Sequence, residues 1–180
     1  MEIIKKAILP LLLLLVFVLE NMFSTLVPTS LFWKNTIAAP HFLMIVLCFI
    51  TIYYNSVQGI YYGLLFGFLF DMVHTELVGM YIFAYPILAY LVYHAMRILQ
   101  LNLFIVYCIV LASIAALEYY VYGFLMLIGR VDMPAHIFFT DRLLPTLLLN
   151  GIFLLLFCFP LRRYILRLSE AMEEKEKRIF

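Results

Sequence analysis

Polar residues are sparse along this chain, and they fall between apolar runs of about the length of a membrane span. The first run is Ala7 to Val27, preceded by Lys5 and Lys6. Others follow at about Ala38 to Tyr54, Val57 to Val73, Gly79 to Leu99, Asn102 to Ile128 and Leu143 to Leu161. A helix rising 1.5 Å per residue needs about 20 residues to cross roughly 30 Å of hydrocarbon. The pattern therefore predicts an all-α polytopic membrane protein. Six transmembrane helices occupy residues 1–166, and a short charged tail occupies 167–180. Only Asn55 and Ser56 separate the second and third runs, which makes them a tight antiparallel hairpin. The first run starts like a signal peptide. The chain reads Glu20-Asn21-Met22-Phe23 where a small-residue cleavage pattern would fall, so an uncleaved span is expected.

Composition narrows the function classes. Of 180 residues, 67% are hydrophobic and 13% charged, against nearer half and a quarter in soluble domains. That excludes a soluble globular domain and a disordered chain. The 12 basic and 11 acidic residues nearly cancel, so no strong field recruits nucleic acid. Cys48, Cys108 and Cys158 each sit inside an apolar run without a partner at zinc-ligand spacing, and read as apolar fillers. Neither a metal nor a cofactor is implied.

Orientation follows from the basic residues. With the amino terminus in the cytoplasm, Lys5, Lys6, Arg97, Arg162, Arg163, Arg167, Lys175, Lys177 and Arg178 lie inside. Lys34, Arg130 and Arg142 then lie outside. This bias predicts a multi-pass protein of the cytoplasmic membrane with both termini cytoplasmic.

Two features stand out within the spans. Gly59, Gly63 and Gly67 recur every fourth residue and are followed by Asp71. Such a stripe lets a second backbone approach closely. The second helix is either another helix of this chain or a partner helix seated in a groove. Acidic groups are the other feature: Glu20, Asp71 and Glu118 lie in the outer halves of their spans, with His74 and Glu76 just beyond Asp71. A charge near the bilayer centre costs about 2.5–3.5 kcal/mol on insertion scales, so each should face the interior or reach the outer interface. They form either a polar network that sets helix register, joined by Asn150, or a small-molecule or cation pocket. No Gly-x-Ser-x-Gly, His-Glu-x-x-His or phosphate-binding glycine loop is present, and an enzyme is not expected.

The order of these features resembles one family. Pro40 opens the second span. The glycine ladder then leads into Gly-Phe-Leu-Phe-Asp at Gly67 to Asp71, followed by Gly79, a Tyr-rich fourth span, and Leu-Leu-Pro-Thr-Leu-Leu-Leu-Asn at Leu143 to Asn150. Over about Pro40 to Leu161 the chain resembles the bacterial rod shape-determining MreD family. The resemblance implies a compact six-helix bundle similar to the substrate-binding subunits of energy-coupling-factor vitamin transporters. It also implies a non-enzymatic scaffold of the cell-elongation machinery. Its partners would be MreC, through a membrane helix and an external domain, the peptidoglycan synthases, and MreB indirectly. A homodimer is a further candidate among the partners. On this reading Gly59, Gly63, Gly67, Asp71 and Gly79 border the partner helix, while Glu20, Asp71, His74, Glu118 and Asn150 form the structural polar network. The alternative is a vitamin-transporter binding subunit. Such subunits carry an Ala-x-x-x-Ala pattern on the first helix, where this chain has only Ala7.

Overall fold

The computed structural model describes residues 2–26, 36–74, 79–99 and 102–179, with side chains described over 8–26, 36–74, 79–99 and 102–172. Trp33, Lys34 and Glu76, and the side chains of Lys5, Lys6, Lys175, Lys177 and Arg178, lie outside the described residues. The described residues are helical without strands. They comprise α1 (Glu2–Leu26), α2 (Phe42–Tyr53), α3 (Ser56–His74), α4 (Met80–Ile98), α5 (Leu103–Leu127), the single turn α6 (Ala135–Ile137) and α7 (Leu144–Ile179). A π-helical stretch, Phe138–Leu143, joins α6 to α7. Pro10 is accommodated within α1, and Asn55 opens α3 by accepting the Val57 N–H at 2.9 Å.

Among the described residues, four helical segments are long and apolar enough to cross a membrane: Ile8–Leu26, Ser56–His74, Leu103–Leu127 and Ala135–Met172. The two other expected spans differ. Over residues 38–54 the helix begins only at Phe42, so α2 is about 18 Å long at 1.5 Å per residue. Residues 36–41 precede it as non-helical chain. Pro40 contributes here, because it has no N–H and biases the residue before it toward extended backbone. The fourth span, α4, has 19 residues, but its tyrosines together with His94 and Arg97 lower its hydropathy.

The chain divides into two units. One comprises Met1–Met44 with Leu111–Phe153, the other Ile45–Val110 with Leu154–Phe180. In the second unit α3 and α4 pack face to face, and the glycine stripe is the reason. A Cβ on Gly63 would stand 3.2 Å from the Pro86 nitrogen and the Tyr85 carbonyl carbon; one on Gly67 would fall on the Tyr81 carbonyl oxygen. On the α2 side, a Cβ on Gly59 would meet the Thr51 hydroxyl. The stripe is thus filled by this chain's own α2 and α4. Periodicity marks a close-approach face but not which helix approaches.

In the first unit Phe42 stacks on Phe153 with centroids 3.9 Å apart and meets Phe23 edge-on at 5.5 Å. Phe138, at the start of the π-helical stretch, stacks on Tyr122 at 4.2 Å. The Tyr122 hydroxyl donates to the Met133 carbonyl at 2.6 Å. Large apolar side chains such as Leu11, Leu15, Leu155 and Leu156 remain exposed, as lipid-facing surface requires.

The backbone contacts at Gly67 generate a prediction. Gly67→Ala should lower stability by about 1–3 kcal/mol, the range for overpacking, because its new methyl meets backbone that cannot rotate away. Gly123→Ala meets nothing within 4 Å and should be neutral, or stabilising by up to about 1 kcal/mol through the helix propensity of alanine. Thermal unfolding of both variants in detergent measures the difference.

Candidate functional site

The buried polar side chains serve the beginnings of helices. An α-helix leaves its first N–H groups unpaired, and in hydrocarbon each such group costs several kcal/mol. At α4 these donors are met from α3. Asp71 Oδ1 accepts the Tyr81 N–H at 2.8 Å, and Oδ2 accepts those of Gly79 at 2.9 Å and Ile82 at 3.1 Å. The carboxylate is fully buried and lies at the positive end of the α4 dipole. Gly79 has φ of +123°, a conformation that L side chains rarely adopt. Gly67 and Asp71 lie four residues apart on α3, so the helix face that admits the α4 backbone also carries its cap. His74, one turn further on, stacks on Phe70 with centroids 4.2 Å apart.

At α2 the donors are met by α1 and α7. Glu20 Oε2 accepts the Leu43 N–H at 2.7 Å. Asn150 Oδ1 accepts the His41 N–H at 2.8 Å, while its Nδ2 donates to the Ala39 carbonyl at 2.8 Å and to the Thr146 carbonyl at 2.8 Å. The Ala39 N–H donates to Thr146 Oγ1 at 3.1 Å, and the Ile37 N–H to the Asp141 carbonyl at 2.8 Å. The N–H groups of residues 37, 39, 41 and 43, every second residue, are therefore all taken up by side chains or backbone far along the sequence. This is how a non-helical segment and the helix start that follows it survive in an apolar setting.

Glu118 completes the first unit's network. His41 Nε2 and Glu118 Oε1 are 2.7 Å apart, and Arg142 Nε donates to Glu118 Oε2 at 2.7 Å. With the guanidinium holding Glu118 as an acceptor, the bridging proton belongs on His41 Nε2. Both carboxylate oxygens are then engaged, one by an imidazole and one by a permanent cation. Such an arrangement neutralises a buried charge and ties α5 to the chain before α2 and to the π-helical stretch. Glu20 Oε1 and His41 Nδ1 are buried with no hydrogen-bond partner among the described residues. Within those residues, no group of three or more His, Cys, Asp or Glu side chains is placed to hold a metal ion.

The structure thus sorts the expected network. Glu20, Glu118 and Asn150 act together in the first unit around residues 37–43. Asp71 and His74 belong to the second unit, and Asp71 caps α4. His41, Arg142 and Thr146 are members that sequence reasoning missed. His41 had a signal: an ionisable residue inside a predicted span is a site candidate by default. Arg142 read as a loop charge, and nothing local ties it to Glu118, 24 residues away.

Two perturbations test this network. Asn150→Leu orphans the His41 N–H and the Ala39 carbonyl, and should cost about 2–6 kcal/mol at roughly 1–3 kcal/mol per buried group. A double-mutant cycle with Glu118→Gln and Arg142→Gln should show coupling of about 1 kcal/mol or more. Chemical or thermal unfolding in detergent reads both, and additive effects at positions 118 and 142 would remove the ion pair from the account.

The chain resembles known proteins along almost its whole length. The profile of the family described as rod shape-determining protein MreD matches residues 5–168. The chain is also similar to the rod shape-determining protein MreD of Bacillus subtilis (strain 168), 36% identical over 171 residues, covering 95% of this chain and 99% of that protein. No solved structure matches it. The chain belongs to the MreD family and is a multi-pass membrane protein with a role in rod-shape determination.

Proposed function

We propose that the protein is a non-enzymatic scaffold of the cell-elongation machinery in the bacterial cytoplasmic membrane. It binds MreC, through that protein's membrane helix and external domain, and so helps couple MreB filaments to the peptidoglycan synthases of the side wall. Family membership supports the setting. The observation that carries the scaffold reading is the engagement of Asp71, Glu20 and Glu118 by this chain's own helix starts and side chains. Polar groups used in this way hold the fold in register and leave recognition to the apolar surface. The nine-to-three distribution of basic residues supports cytoplasmic termini.

The partner surface on this reading includes residues 129–142. Phe138 is buried against Tyr119 and Tyr122, whereas the adjacent Phe139 is 47% exposed. Because the glycine stripe is already filled by α2 and α4, Phe139 and its surroundings are the better candidate for contact with an external domain.

The test is a pull-down of tagged protein from its native membranes with identification of what co-purifies. Recovery of MreC and wall synthases is the expected result, with Phe139→Asp reducing MreC recovery several-fold at unchanged melting temperature. Recovery of an ATPase with a coupling membrane subunit, or of a bound vitamin, would establish the transporter alternative instead.

A further inference from the structure

In the second unit, α7 changes character within two turns. Leu155, Cys158 and Phe159 are followed by Arg162, Arg163 and Leu166. At spacings of three and four residues these positions lie along one stripe of the helix. Two cavities open on that stripe. The first, about 580 Å³, is lined by Phe159, Pro160, Arg162, Arg163 and Leu166. The second, about 380 Å³, is apolar and lies between α7 and the start of α5, with Leu103, Phe104, Tyr107, Leu155 and Cys158 on its walls. Phe159 lines both. A basic compartment therefore adjoins an apolar one.

The basic compartment is pre-organised. The Arg162 guanidinium lies 5.5 Å from the centroid of the Tyr53 ring, a cation–π contact that restrains it. Arg162 Nε is buried and has no hydrogen-bond partner among the described residues. A buried donor without an acceptor is unfavourable. Guanidinium donors match the oxygens of a phosphate in a bidentate fork, and Arg163 supplies a second fork beside the first. A free phosphate would use only this half of the site. A phospholipid would use both, and basic pockets at the ends of transmembrane helices suit anionic headgroups.

We propose that this stripe binds one anionic phospholipid, with the phosphodiester on Arg162 and Arg163 and an acyl chain running past Phe159 into the apolar cavity at Leu103, Phe104 and Leu155. The site stands apart from the partner-binding reading and needs none of its residues. It makes the middle of α7, where its apolar run ends, a lipid-dependent element.

The purified full-length protein in detergent, titrated with phosphatidylglycerol, phosphatidylcholine or inorganic phosphate and read by native mass spectrometry and thermal shift, tests the proposal. Phosphatidylglycerol should be retained as a single molecule and should raise the melting temperature, with at least ten-fold weaker retention of phosphatidylcholine. Arg162→Gln should lower phosphatidylglycerol retention about ten-fold, and Arg162→Lys, which keeps the charge but loses the fork, by a smaller factor. Arg163→Gln, at an exposed position, supplies the same reading should Arg162→Gln fail to fold. Leu155→Trp, which fills the apolar cavity, should weaken phosphatidylglycerol and leave phosphate unaffected. Equal retention of the two lipids, or unchanged retention in the arginine variants, would overturn the proposal. Protection by millimolar phosphate equal to that by the lipid would reassign the site to a free anion and would equally overturn it.

Discussion

A helix that starts in an apolar environment must find acceptors for its first N–H groups, and in this protein distant carboxylates and amides provide them. Asp71 of α3 meets three donors around the start of α4. Glu20 of α1 meets one at α2, and Asn150 and Thr146 of α7 meet those just before it. Water would do this in a soluble protein. In hydrocarbon bulk water is absent, and here the protein's own side chains and backbone supply the acceptors. A carboxylate is the stronger choice because it also opposes the positive end of the helix dipole. The insertion cost of an acidic residue, about 2.5–3.5 kcal/mol, is offset by several charge-assisted bonds.

This constraint explains why the glycines and the acid occur together. Asp71 reaches the α4 backbone only because α3 and α4 nearly touch, and they touch only because Gly63 and Gly67 present no side chain to Pro86 and Tyr81. Gly79 turns the chain into α4 with a positive φ while its N–H goes to the same carboxylate. Gly67, Asp71 and Gly79 are one device. The first unit reaches the same end differently. It uses a non-helical strip of backbone along residues 37–41 and the first turn of α2, bonded at alternate residues, and balances Glu118 between His41 and Arg142.

In this member of a shape-determining family the interior polar groups are engaged by the chain's own backbone and side chains. Interior polar groups that bond to backbone fix where each helix begins, and so fix the relief of the surface outside. On the readings proposed above, recognition falls to surface features: the exposed Phe139 beside the buried Phe138, and the arginines where α7 leaves its apolar run.

Much of this was legible in the sequence, and the remainder was not for a definite reason. Apolar run length and local periodicity determined the helical, membrane-spanning class, the α2–α3 turn at Asn55, the close-approach stripe on α3 and the interior placement of Glu20, Asp71 and Glu118. Hydropathy is a local sum and carries such features well. The tertiary structure alone decided that α4 and Thr51 fill the glycine stripe, and that the second run is non-helical up to His41 before it becomes a helix. It also decided that His41 and Arg142 meet on Glu118. These outcomes depend on which acceptor reaches which donor. Ala39 and His41 find theirs 107 and 109 residues away, a separation across which the sequence has no period to read.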